Sequence, residues 1–90
     1  MAEKVSKIHY TSHYLKGYAK LPKRIQGKQD KKEQWFRANP FDIRLETHNL
    51  QGNLKGFYAY SITRTHRALF RFITPNEVIF YDIGTHSVYK

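Results

Sequence analysis

The chain contains no cysteine, which removes a disulfide framework and any Cys-ligated zinc site. No apolar run approaches the roughly 20 residues that a spanning helix needs, so no membrane insertion is expected. The opening residues MAEKVSKIHY are too charged, and too short in apolar run, for a secretory signal. Together these absences predict a cytoplasmic protein. No internal repeat, low-complexity tract or composition break interrupts the 90 residues. A single domain over residues 1–90 is therefore expected, with a modest core, because a short chain buries a smaller fraction of its surface.

Acidic residues are also scarce, 7 against 16 Lys and Arg, for a net charge of +9. The excess is uneven: residues 1–44 hold 11 basic and 4 acidic side chains, and residues 45–90 hold 5 and 3. A surplus of this kind points to a polyanionic partner or a strongly acidic protein, since Lys and Arg gain by displacing counterions from phosphates. A lysine-rich solvated helix that only aids solubility would produce the same count.

What is present divides into two grammars. Val5 to Tyr10 reads as a short first strand, with Ile8 and Tyr10 at period 2. Thr11 and Ser12 are good N-cap residues for a helix carrying Tyr14, Leu15, Tyr18 and Ala19. Leu21-Pro22 opens a second helix running to about Ala38, and Asn39-Pro40 stops it. Leu21, Ile25, Trp35 and Phe36 share a face of that helix, yet Lys28 and Lys32 occupy its middle and Gly27 weakens it. Those lysines either lay their stems over apolar surface or form a positive stripe facing RNA or an acidic partner.

Beyond Leu50 the pattern is that of strands. Gly52 and Gly56 bracket a turn, then Phe57 to Ile62, Arg67 to Ile73 and Glu77 to Ile83 are rich in aromatic and β-branched residues. The short connections Thr63-Arg64-Thr65 and Thr74-Pro75-Asn76 make both pairings antiparallel hairpins. The fold class is α+β, in the order β-α-α-β-β-β, with two N-terminal helices packed on one face of a small antiparallel-rich sheet.

Chemistry concentrates at one end of that sheet. With the last turn centred near residue 75, Arg67 falls opposite roughly Ile83 and near Gly84-Thr85-His86. Arginine can bind phosphate through parallel N–H donors, and histidine moves a proton near neutral pH, a pairing suited to phosphodiester cleavage. An exposed arginine beside a solvated tail is the plainer account. His9 and His13 are four apart, but a strand-to-helix boundary falls between them, so helical metal-pair geometry is not secured and no metal is assigned. Six tyrosines, Tyr10, Tyr14, Tyr58, Tyr60, Tyr81 and Tyr89, offer stacking faces for bases, although most must serve the core.

The segments NPFDIRLETHNLQGNLKGFYAYSITRTHRALFRF and VIFYDIGTHSVYK resemble the C-terminal two-thirds of RelE/ParE-superfamily toxins, most closely the YafQ-like branch. The motifs carrying the resemblance are Asn39 to Phe41, His48 to Gly52, Arg67 to Phe70 and Ile83 to His86. It implies a RelE-like microbial ribonuclease fold. It also implies a type II toxin that docks in the ribosomal A site and cuts translated mRNA by attack of the 2′-hydroxyl, without metal or cofactor. On the matching positions, His86 would be the general acid, His48 the general base, and Arg67 the phosphate clamp. Strand geometry does not reach His48, which the resemblance alone brings to the Arg67 end. His66 stands where the YafQ branch has an acidic residue. Lys16, Lys55 and Arg64 are candidate RNA-backbone contacts. The implied partners are mRNA on the ribosome and a cognate antitoxin in a hetero-oligomer. Two alternatives stay open: a ParE-like gyrase poison, which requires no histidine pair, and a degenerate module that binds antitoxin or RNA without catalysis.

Overall fold

Hydrogen-bonding side chains and apolar periodicity set the element boundaries in the computed structural model, which describes residues 4–89 apart from the side chains of His86 and Ser87. β1 (Lys7–Tyr10) leads into α1 (Ser12–Lys20), α2 (Lys23–Ala38), β2 (His48–Asn49), β3 (Tyr58–Ser61), β4 (Arg67–Thr74) and β5 (Glu77–Gly84). Single 3-10 turns occupy Ile43–Leu45, Gly52–Leu54 and His86–Tyr89. Thr11 caps α1 as expected: its Oγ1 accepts from the Tyr14 N–H and donates to the Tyr81 carbonyl. That second bond ties the helix start to β5. Asn39 ends α2, its N–H donating to the Trp35 carbonyl, and Pro40 blocks continuation.

The strands form one sheet in the order β1-β5-β4-β3-β2. β1 pairs with β5 in parallel, and the three remaining pairings are antiparallel. Two helices packed on a mixed five-strand sheet make this the expected α+β fold, with the two-residue strand β2 added. β2 was beyond sequence reading because two residues carry no period.

One face of the sheet carries the main core. Phe36 of α2 lies 4.8 Å from Phe70 and 5.3 Å from both Tyr60 and Phe80, ring centroid to centroid. Tyr14 of α1 sits 5.3 Å from Phe80. Fully burying one such side chain contributes about 1.5–3 kcal/mol. α1 comes close to β5 because residue 17 is glycine: a Cβ there would lie 2.9 Å from the Ile83 carbonyl oxygen.

The middle of α2 departs from the expected apolar face. Its buried stripe is Ile25, Gln29 and Phe36, spaced four and seven apart, and Gln29 is wholly buried. Its amide donates to the Tyr14 hydroxyl at 3.0 Å and accepts from the Tyr60 hydroxyl at 2.9 Å. The two tyrosines thus satisfy a polar group that would otherwise destabilise the core. Among the described residues no helix is long and apolar enough to cross a membrane.

Candidate active site

Arg67 opens β4 and pairs with Gly84, one residue beyond the expected partner Ile83, which pairs with Ala68. The preceding loop is held by Thr63, whose Oγ1 accepts from the backbone N–H groups of Thr65 and His66. Arg67 folds beneath this loop and donates from Nη1 to the carbonyls of Thr63, Arg64 and His66 at 2.8, 3.2 and 3.0 Å. Three carbonyls therefore fix one corner of a planar, five-donor guanidinium. A side chain fixed in this way loses little entropy when it meets an anion.

His48 reaches the same end through β2. It pairs with Ala59, and Ser61, two residues further along β3, pairs with Arg67. Since side chains alternate along strands, His48, Ala59, Ser61 and Arg67 belong to one face of the sheet, opposite the Tyr60 and Phe70 core. Glu46, in the left-handed conformation at φ 55°, presents its carbonyl to His48 Nδ1 at 3.1 Å. A carbonyl can only accept, so Nδ1 carries the proton and Nε2 of the neutral ring keeps a lone pair. This is the tautomer a general base at Nε2 requires.

His48 and Arg67 line one open cleft of about 500 Å³, with Leu50, Gln51, Leu54 and Tyr89. The backbone of His86 begins the 3-10 turn His86–Tyr89, which follows directly on Gly84 and Thr85 beside Arg67. The His86 side chain lies outside the described residues. Tyr89, which carried no distinguishing pattern in the sequence, enters the cleft because a 3-10 turn returns the chain after three residues.

A second concavity of about 440 Å³ adjoins the first through Arg67, and is lined also by Lys32, Glu46, Ser61, Thr63 and Arg64. Lys32 reaches across from α2 to donate to the Ser61 carbonyl at 3.1 Å. Burial lowers its ammonium pKa; Glu46 opposes the shift, while Lys28 and Arg67 reinforce it.

The remaining candidates are dispersed. Lys16 and Lys55 are exposed on α1 and after the Gly52–Leu54 turn, and line neither concavity. His66 Nδ1 is 3.1 Å from the hydroxyls of Thr63 and Thr65, a role within the loop. His9 contacts the Glu77 carboxylate and His13 that of Asp82, so the two do not converge.

No protein-family model matches the chain, and no curated protein sequence matches it. Solved structures do. The YoeB/ParE toxin from Agrobacterium tumefaciens superposes with a TM-score of 0.76 at 19% identity, over 89% of this chain and 98% of that one. YafQ from E. coli gives 0.76 at 17%, over 99% and 98%. The toxin–antitoxin complex RelBE2 from Mycobacterium tuberculosis gives 0.75 at 18%, over 97% and 95%. With two helices on a mixed five-strand sheet, this chain shares, over nearly its whole length, the fold of these YoeB/ParE, YafQ and RelBE2 toxin structures.

Proposed function

We propose that this protein is the toxin of a type II toxin–antitoxin system and a ribosome-dependent endoribonuclease that cuts translated mRNA in the A site. The observation that carries the reading is the cleft in which His48 and Arg67 meet beside the C-terminal turn. Nε2 of His48 takes the proton from the 2′-hydroxyl as its oxygen attacks phosphorus. The new O2′–P bond forms while the P–O5′ bond breaks, and His86 delivers a proton to the departing 5′-oxygen. The products are a 2′,3′-cyclic phosphate and a 5′-hydroxyl. Arg67 holds the nonbridging oxygens as charge builds on them. Each proton transfer contributes about 10²- to 10⁴-fold, and the reaction as written consumes no cofactor and needs no metal.

The net charge of +9 supports a nucleic-acid partner, with Lys16, Lys55 and Arg64 as backbone contacts. A cognate antitoxin would fold a disordered segment over this basic surface and cover the cleft, forming a hetero-oligomer in the cytoplasm. The M. tuberculosis neighbour is itself a toxin–antitoxin complex. The test is induced expression with primer-extension mapping of a reporter mRNA, comparing wild type with His86→Ala. Growth arrest with cuts in translated mRNA, abolished in the variant, is expected. Arrest with intact mRNA in both proteins would point to a gyrase poison, and soluble protein without arrest to a binding module.

A further inference from the structure

The lysines in the middle of α2 sat badly in a helix that should have been apolar there, and the fold gives one of them a destination. Lys32 is half-buried, and its ammonium is held on the carbonyl of Ser61, the residue that pairs with Arg67. One of its three N–H donors is used in that bond, which leaves two for a ligand. Arg64 stands at the rim on the β3–β4 loop, and Arg67 closes the concavity on the side shared with the histidine cleft. Three cations against the single carboxylate of Glu46 leave a surplus of two positive charges in one depression.

We propose that this depression is a second anion subsite, binding a phosphate of the RNA backbone adjacent to the scissile one, with Lys32 and Arg64 as its ligands. The proposal rests on the nuclease reading above and extends it. A polynucleotide carries a charge at every residue, so a strand whose scissile phosphate lies on the His48 side of Arg67 must carry its neighbouring phosphate over adjacent surface. The second concavity begins at the same arginine. An ammonium anchored on backbone and an exposed arginine at the rim are suited to a phosphate, one as a fixed point charge and the other as a fork. Because Arg67 lines both concavities, the strand's own next phosphate is favoured here over a separate acidic side chain.

The test titrates the full-length protein with a fluorescent single-stranded RNA, 2′-deoxy-substituted so that it cannot be cut, across a salt series. Lys32→Met keeps the apolar stem and removes the charge. It is expected to weaken binding about five-fold at about 0.1 M salt and to lower the salt slope by about 0.7, the value for one lost phosphate contact on a single strand. Arg64→Ala, exposed on its loop, should produce a similar loss, and Lys32→Arg should retain the wild-type slope; circular dichroism verifies each fold. An unchanged slope in Lys32→Met and Arg64→Ala, or no RNA binding by wild type at low salt, overturns the subsite. A polyglutamate peptide weakened by Lys32→Met while RNA is not would overturn it in favour of an acidic polypeptide. The two readings fail separately. Cleavage that depends on His86, with unchanged slopes, removes only the subsite; a lowered slope in a protein whose cleavage ignores His86 keeps the subsite and removes the nuclease.

Discussion

Phe36 and His48 lie on opposite sides of the same sheet and illustrate two ways of using it. Around Phe36, the rings of Tyr60, Phe70 and Phe80 pack from β3, β4 and β5, and the two helices close over them. Among the described residues every buried side-chain polar atom there has a partner. Around His48 the strand is two residues long, the side chain is exposed, and the cleft stands open. The packed side supplies the free energy that lets the open side keep cationic and titratable groups unburied and available. Substitutions should accordingly separate into those that cost stability and those that cost activity.

His48→Ala is the sharpest test of that separation. It should reduce mRNA cleavage by about 10²- to 10⁴-fold, measured by primer extension, while urea unfolding stays within about 0.5 kcal/mol of wild type. Phe36→Ala should do the reverse, costing about 3–5 kcal/mol, a large part of the 5–15 kcal/mol typical of a domain. Equal losses of stability in the two variants would end the comparison.

Tyr60→Phe probes the polar seam within the packed side. Removing its hydroxyl leaves the Gln29 carbonyl oxygen buried without its donor, at a cost of about 1–3 kcal/mol in urea unfolding. The same seam makes the packed side sensitive to alkali. Burial, and the hydrogen bond to Glu33, raise the Tyr10 phenol to about 12, and the hydrogen bond to Asp30, with burial, raises Tyr18 to about 12. Burial pushes Tyr14 higher still, and burial holds Tyr60 well above its ordinary value. A phenol whose pKa is raised by folding favours the folded state fully below its unfolded value near 10. That contribution is lost as pH climbs from about 10 through 12. Urea midpoints should therefore fall above pH 10 together with the rise of phenolate absorbance, and Tyr60→Phe should flatten the decline.

The smallest effect expected compares the two helices. Gly27→Ala adds a methyl with nothing within 4 Å in the exposed interior of α2, and should stabilise by about 0.5–1 kcal/mol. Gly17→Ala meets the Ile83 carbonyl oxygen at 2.9 Å and should destabilise, because α1 cannot shift without disturbing its seat on β5. Thermal melts of both variants check the opposite signs.

Much of this architecture is legible in the sequence. The Thr11 cap, the Asn39-Pro40 stop and the three aromatic strands are local signals, carried by hydrogen-bonding side chains and period-2 patterns that operate over a few residues. The placement of Arg67 beside Gly84 followed to within one residue from a single assumption about the Thr74–Glu77 turn, because antiparallel register propagates from the turn. Gln29 was not legible: a polar residue on a helix reads as exposed until two tyrosines distant in sequence are brought to it. Lys32 was visible as an anomaly whose meaning stayed open between a solvated stem and a charged stripe.

By itself, then, the sequence determined the α+β class, the two helices and the four longer strands to within about two residues at their ends, the basic surplus and the arginine at the sheet end. Each of these depends on residues close in the chain or on composition. Only the tertiary structure decided that His48 shares a face and a cleft with Arg67, and that Lys32 rests on Ser61. Both depend on contacts between segments separated by 19 and 29 residues, His48 to Arg67 and Lys32 to Ser61. A two-residue strand and a half-buried lysine acquire their positions from packing, for which local propensity carries no signal.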